Sequence, residues 1–269
     1  TAMKHRNSGY TLGLSPLEAA AALARGADRL LTTLVGLFLL LVLAFAAFSL
    51  WDTWRIYDEA GVDETLLHFK PTEAGDNTAG FSDLAALSPD VRAWLTLDDT
   101  HIDYPVVQGE DNVKYVNTDV YGNFSLSGSI FLDYRNAADF SDAYCLLYGH
   151  HMDGDVMFGE LAHFLEADYF TSHPTGTLYL PEVTYTIEIF ASLQTDAYDT
   201  LIFTPGNYAP EEMDKFLKET TANARQYREI GVTGQDHILA LSTCSDASTN
   251  ARTIVLGRLT EAAAPQGGD

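Results

Sequence analysis

Three residue types able to do covalent chemistry stand at the ends of apolar runs. Cys244 closes "HILALSTC", Arg252 opens "ARTIVLGRL" eight positions later, and His150 and His151 follow "AYCLLYG". A thiol at a strand end beside polar residues is offered for reaction, whereas an inert thiol usually sits mid-strand among aliphatic neighbours. In an alternating strand Leu239 and Leu241 face one side, and Ser242 and Cys244 the other. An imidazole near such a thiol can stabilise the thiolate or carry its proton. A guanidinium keeps its charge at all working pH values and suits a developing oxyanion. The short "SDASTN" connection brings Arg252 back towards Cys244. Each residue also has an ordinary reading: an inert thiol, a solvated loop histidine, a surface ion pair. Taken singly, the residues leave both open. Two adjacent histidines raise zinc, but no HExxH or CxxC pattern supplies further ligands, and no pattern calls for calcium. No metal and no cofactor are expected.

The elements that must hold these residues are mostly strands. "VRAWLTL" and "HIDYPVVQ" flank the turn-like "DDT"; "SGSIFLDYR", "AYCLLYGH" and the two halves of "GTLYLPEVTYTIEIFASLQ", broken near Pro181, follow. "DVMFGELAHFLEADYF" spaces Phe158, Leu161, Phe164 and Leu165 along one helical face. "PEEMDKFLKETTANARQYR" opens with Pro210 and two acids, a good helix entry, and aligns Met213, Phe216 and Leu217. About eight strands with two or three intervening helices predict a mainly β fold, a closed or nearly closed β-barrel with added helices.

Ahead of it, Leu30 to Leu50 is an uncharged apolar run. Its 21 residues, at about 1.5 Å each, span a hydrocarbon core of roughly 30 Å. Lys4, Arg6, Arg25 and Arg29 precede it against Glu18 and Asp28, which predicts a cytoplasmic N-terminus and an extracellular remainder. Trp51 and Trp54 fall where an interfacial aromatic belt belongs. The expected organisation is a cytoplasmic tail (1–29), a transmembrane anchor (30–50), a juxtamembrane helix and linker (51–87), a catalytic domain (88–260) and a C-terminal tail (261–269). "PTEAGDNTAG", Pro71 to Gly80, reads as the linker. The net charge of −23 argues against nucleic-acid binding, which needs Lys/Arg-rich surfaces. It is compatible with a cationic or amine-bearing partner.

"LSTC" followed by an arginine, with "YGHHMDGDVMF" upstream, resembles the sortases, specifically those of class B, membrane-anchored cysteine transpeptidases of Gram-positive bacteria. "IDYPVVQGEDNVKYV", "GSIFLDYRN" and the insertion carrying "PEEMDKFLKETTANARQYR" extend the resemblance from Val91 to Leu259. It implies a closed eight-stranded barrel with N-terminal helices and a long helix-bearing insertion before the cysteine strand. It implies His150, Cys244 and Arg252 as catalytic residues, with His151 a neighbour without a role. Asn112, Val116, Tyr148, Leu201, Ile202, Ser242 and Asp246 would line the substrate site. The implied reaction is cleavage of a C-terminal sorting signal after threonine through a thioacyl-enzyme. The implied partners are secreted proteins with signals of Asn-Pro-x-Thr type. Either a lipid-linked peptidoglycan precursor or a pilin lysine would be the accepting amine. In that fold Cys145 faces away from His150, so it is expected to be a buried free thiol rather than half of a disulfide.

Two other classes compete. A Cys/His cell-wall peptidase would use water as acceptor, although a papain-like fold would want Asn or Asp in place of the arginine. A catalytically silent, membrane-tethered binding module would keep its function after alkylation of Cys244.

Overall fold

The computed structural model describes residues 15–71, 77–244 and 250–262, with the backbone alone at position 244. The chain divides into two units, one up to Trp54 and one from Arg55 onwards.

The first unit is helical. Helix α1 (Pro16–Glu59) buries none of its residues. Ser15 and Glu18 cap its start reciprocally: the Ser15 amide donates to the Glu18 carboxylate at 2.9 Å, and the Glu18 amide to Ser15 Oγ at 3.4 Å. Leu30, Leu34, Phe38, Leu41, Phe45 and Phe48 are all exposed. By length and composition this helix can cross a membrane, and a helix apolar all round suits lipid rather than a half-buried surface position.

The second unit begins with the short helices α2 (Glu64–Leu67) and α3 (Thr78–Leu87). Residues 78–80, expected in the linker, already belong to α3. The strands are β1 (Val91–Leu97), β2 (Asp103–Val107), β3 (Ile130–Leu132), β4 (Tyr144–Tyr148), β5 (Thr175–Tyr179), β6 (Thr184–Asp196), β7 (Gln226–Tyr227), β8 (His237–Cys244) and β9 (Ala251–Glu261). Their order is β5-β1-β2-β3-β4-β8-β9-β6-β7, and a further β5–β6 pairing closes eight of them into a barrel. Strand β7 is a two-residue addition to the far half of β6, whose near half pairs with β5.

Side-chain alternation separates two cores. Leu95, Val106, Leu132, Leu147, Leu178, Ile187, Leu241 and Val255, one from each of the eight barrel strands, meet in a single buried cluster, the barrel interior. Cys145 belongs to it. On the outer face, Tyr144, Leu146, Ile238, Ala240, Ile254 and Leu256 pack against Met213, Phe216 and Leu217 of helix α5 (Pro210–Ala222). These are the three residues aligned by the helical spacing.

The helix expected around Phe158 to Phe170 is instead broken into a 3-10 helix (Gly159–Leu165) and the short α4 (Ala167–Ser172). Glu166, in extended conformation (φ −90°, ψ 134°), separates them. Phe158, Leu161 and Phe164 are still fully buried. Periodicity reported the burial correctly and the helix type incorrectly, since spacings of three and four suit both helices.

Candidate active site

Three neighbouring strands bring the chemistry-bearing residues together. Strand β4 runs parallel to β8, with Tyr148 opposite Ser242, and the pairing continues beyond β4 because the Gly149 amide donates to the Ser242 carbonyl at 3.1 Å. Position 150 lies two residues past Tyr148 in the chain, and position 244 two residues past Ser242. On the other side β8 is antiparallel to β9, and Cys244 is the direct register partner of Arg252.

Past the cover of α5 the outer face opens into a cleft of about 410 Å³. His150, Arg252, Tyr148, Ser242, Asn112 and Val116 line it, together with Ser129, Phe131, Arg135, Gly149, Ala197, Phe203 and Thr243. Leu201 and Ile202 are not among them. Ile202 is fully buried in the outer core and Leu201 packs against the same cluster, so Phe203 is the residue of this segment that reaches the cleft. Asp246 lies outside the described residues. A second concavity, of about 470 Å³, lies between residues 58–66 and the 119–130 loop and holds neither His150 nor Arg252.

His150 is half-buried, and its Nε2 lies 2.7 Å from the Val116 carbonyl. A carbonyl only accepts, so this bond requires the hydrogen on Nε2 and leaves Nδ1 as the nitrogen able to exchange a proton. Two glycines make the arrangement possible. Gly128 has φ +61°, and a Cβ there would lie 2.5 Å from the Val116 oxygen that holds His150. At Gly149 a Cβ would meet Ile130 Cδ1 at 2.5 Å and the Phe158 ring at 2.7 Å. His151 is bridged to Met157 instead and does not line the cleft.

Cys145 is a free, fully buried thiol. Burial, reinforced by Asp142, pushes its ionisation well above the usual thiol range. Its register partner on β8 is Leu239, five residues from Cys244. At about 3.3 Å per residue that is roughly 16 Å, beyond the reach of about 7 Å between bridged Cα atoms.

A chain register of this kind, opening on one cleft, has relatives. The Sortase domain family model matches residues 95–260. Sortase B of Listeria monocytogenes serovar 1/2a (strain ATCC BAA-679 / EGD-e) is 32% identical over 234 residues, covering 82% of this chain and 94% of the relative. The chain belongs to the sortase family. Among solved structures, Spy0129, a Streptococcus pyogenes class B sortase involved in pilus biogenesis, is 47% identical, covering 67% of this chain and 97% of that one, with a TM-score of 0.62. The Staphylococcus aureus sortase B–substrate complex is 28% identical, covering 69% and 87%, with a TM-score of 0.65. This sortase is accordingly a class B-like cysteine transpeptidase, an enzyme of the cell surface whose family joins proteins bearing sorting signals to amines.

Among the described residues no group of three or more His, Cys, Asp and Glu is placed to hold a metal ion. Sequence reading passed over Arg135, Phe203 and Thr243. Arg135 had a visible signal: it stands with Asp133 just beyond the apolar "IFL", the only charges at that strand end.

Proposed function

We propose that Cys244 is the nucleophile, His150 the proton carrier and Arg252 the oxyanion donor of a transpeptidation that cuts a sorting signal after threonine. The observation that carries the reading is the register that makes 244 and 252 direct partners, with Tyr148 opposite Ser242 on the other side and His150 and Arg252 lining one cleft. The Cys244 thiolate attacks the threonine carbonyl, and its oxygen takes the negative charge beside Arg252. As the peptide bond breaks, the leaving nitrogen takes a proton from His150 and a thioester remains on Cys244. The acceptor amine then attacks the thioester and gives its proton to His150, and the thiolate leaves. Two easier acyl transfers replace one difficult one.

Asn112, Val116, Tyr148 and Ser242 contact the signal, with Phe203 in the place expected of Leu201 and Ile202. Asn-Pro-x-Thr is the signal the class B resemblance favours. The likeness to the S. pyogenes enzyme of pilus biogenesis supports a pilin lysine as the acceptor in preference to a wall precursor. The 30–50 segment of α1 anchors the chain with its N-terminus in the cytoplasm, and residues 88–260 form the extracellular catalytic domain.

The test is intact-mass measurement of the detergent-solubilised chain after incubation with Asn-Pro-x-Thr or Leu-Pro-x-Thr peptides. A thioacyl adduct on the wild type, absent from Cys244→Ala and discharged by a lysine-bearing peptide, is expected. A readily alkylated Cys244 that gives neither adduct nor cleavage with either peptide would sink the assigned substrate class.

A further inference from the structure

Behind the cleft wall lies a buried charge that the three catalytic assignments leave unexplained. Asp133 follows β3, and its side chain is fully buried, where an uncompensated carboxylate is costly. It accepts from Arg135 Nε at 2.8 Å and Nη2 at 2.7 Å, from the Arg135 amide at 3.0 Å, from Asn112 Nδ2 at 2.8 Å and from Tyr148 Oη at 2.9 Å. The three residues that donate come from the loop after β2, the loop after β3 and the end of β4. All three line the cleft.

Arg135 carries the connection further. Its Nη2 also donates to the Phe203 carbonyl at 2.9 Å, and the Phe203 ring stacks on Tyr148 with centroids 6.3 Å apart and 11° between planes. One carboxylate thus ties together four segments that are remote in sequence. Stability alone does not call for such a device, because buried ion pairs replaced by packed apolar residues often cost nothing. Holding side chains in one geometry does call for it, and a fully satisfied polar network is rigid.

We propose that Asp133 is a positioning residue for substrate recognition: it fixes Asn112 and Tyr148 directly, and Phe203 through Arg135, as one preformed wall for the sorting signal. This rests on the proposed site, and acts on binding more than on the chemical step. Removing the carboxylate charge frees the wall, so that each signal must order it on arrival.

The test compares Asp133→Asn, Arg135→Lys and Glu160→Gln in the full chain in detergent, using the Asn-Pro-x-Thr and Leu-Pro-x-Thr peptides. Glu160 is a control of similar burial outside the cleft, accepting from the His101 amide and Tyr169 Oη, both at 2.7 Å. Asp133→Asn is expected to raise KM about tenfold with kcat within about threefold. Arg135→Lys should do likewise, because an ammonium lacks the fork that serves Asp133 and Phe203 together. Glu160→Gln should lower the thermal midpoint and leave KM alone. Peptide Kd measured on the Cys244→Ala background should show the same tenfold loss when Asp133→Asn is added, a readout independent of turnover. A folded Asp133→Asn chain with wild-type KM and Kd overturns the proposal, as does activity that falls only in proportion to stability in both carboxylate variants. If Asp133→Asn does not fold, unchanged KM in both Arg135→Lys and Tyr148→Phe overturns it instead. Failure of the wild type to form an adduct would count against the catalytic reading, while the Kd comparison judges the wall separately.

Discussion

At the scale of single residues, charge and geometry can be separated at Arg252. It lines the cleft as the register partner of Cys244 and spends Nη1 on the Ala251 carbonyl at 3.1 Å. Arg252→Lys keeps the charge and loses the planar fork. If the guanidinium meets the oxyanion, kcat for thioacyl formation should fall about 10²-fold with peptide Kd nearly unchanged; a fall confined to Kd would reassign Arg252 to binding. Asp133 makes a second prediction, on stability. Burial would raise its carboxyl, but Arg135, with Asn112 and Tyr148, outweighs burial and holds it below the usual carboxylate range. A carboxyl depressed in the folded state contributes stability that is fully present above its unfolded value of about 3.9 and is lost as pH falls through the folded value. The stability gap between wild type and Asp133→Asn should therefore be constant at neutral pH and shrink below about pH 4. Chemical denaturation at a series of pH values measures it, and a gap that widens in acid would contradict the ion pair.

At the scale of elements, the strand-bearing residues were legible and the contacts between loops were not. Alternation in "HILALSTC" put Leu239 and Leu241 on the side opposite Ser242 and Cys244, and both leucines lie in the interior, because period-two patterning survives whatever the sheet order. The α5 face was legible from its own helical spacing of three and four, which likewise does not depend on the sheet order. The 197–203 segment was not: which of its apolar residues is core and which is cleft wall depends on where α5 ends its cover, a tertiary fact. Nor could the spacing show that Gly128 shapes the setting of His150. Its left-handed φ and the 2.5 Å approach of a Cβ to Val116 O make Gly128→Ala strained twice over, at about 1–3 kcal/mol. The displaced carbonyl is the one that orients His150. The variant should lose kcat by more than its loss of thermal stability explains, with peptide Kd largely kept. Equal losses in kcat and Kd would mean that the loop moves as a whole rather than through His150.

At the scale of the whole molecule, the division at Trp54 and Arg55 separates two kinds of surface. Upstream, α1 exposes leucines and phenylalanines on every side without burying any residue. Downstream, a closed barrel has its own interior and two outer clusters, formed by α5 on one face and by α2 and α3 on another. A unit with its own core folds by itself, and the chain's acidic excess falls in this unit, which keeps it soluble through self-repulsion. A fragment from Arg55 onwards should therefore remain in the aqueous phase of a detergent partition, while the full chain enters the detergent phase. The fragment's thermal midpoint should match that of the barrel transition in the full chain to within about 3 °C, because the difference that α1 makes to stability would be under about 1 kcal/mol. It should also form the thioacyl adduct in solution at the rate of the full chain, since both peptide and cleft are then equally free. A fragment that folds but acylates only when joined to α1 would overturn this independence and show that residues upstream of Arg55 are needed for the reaction.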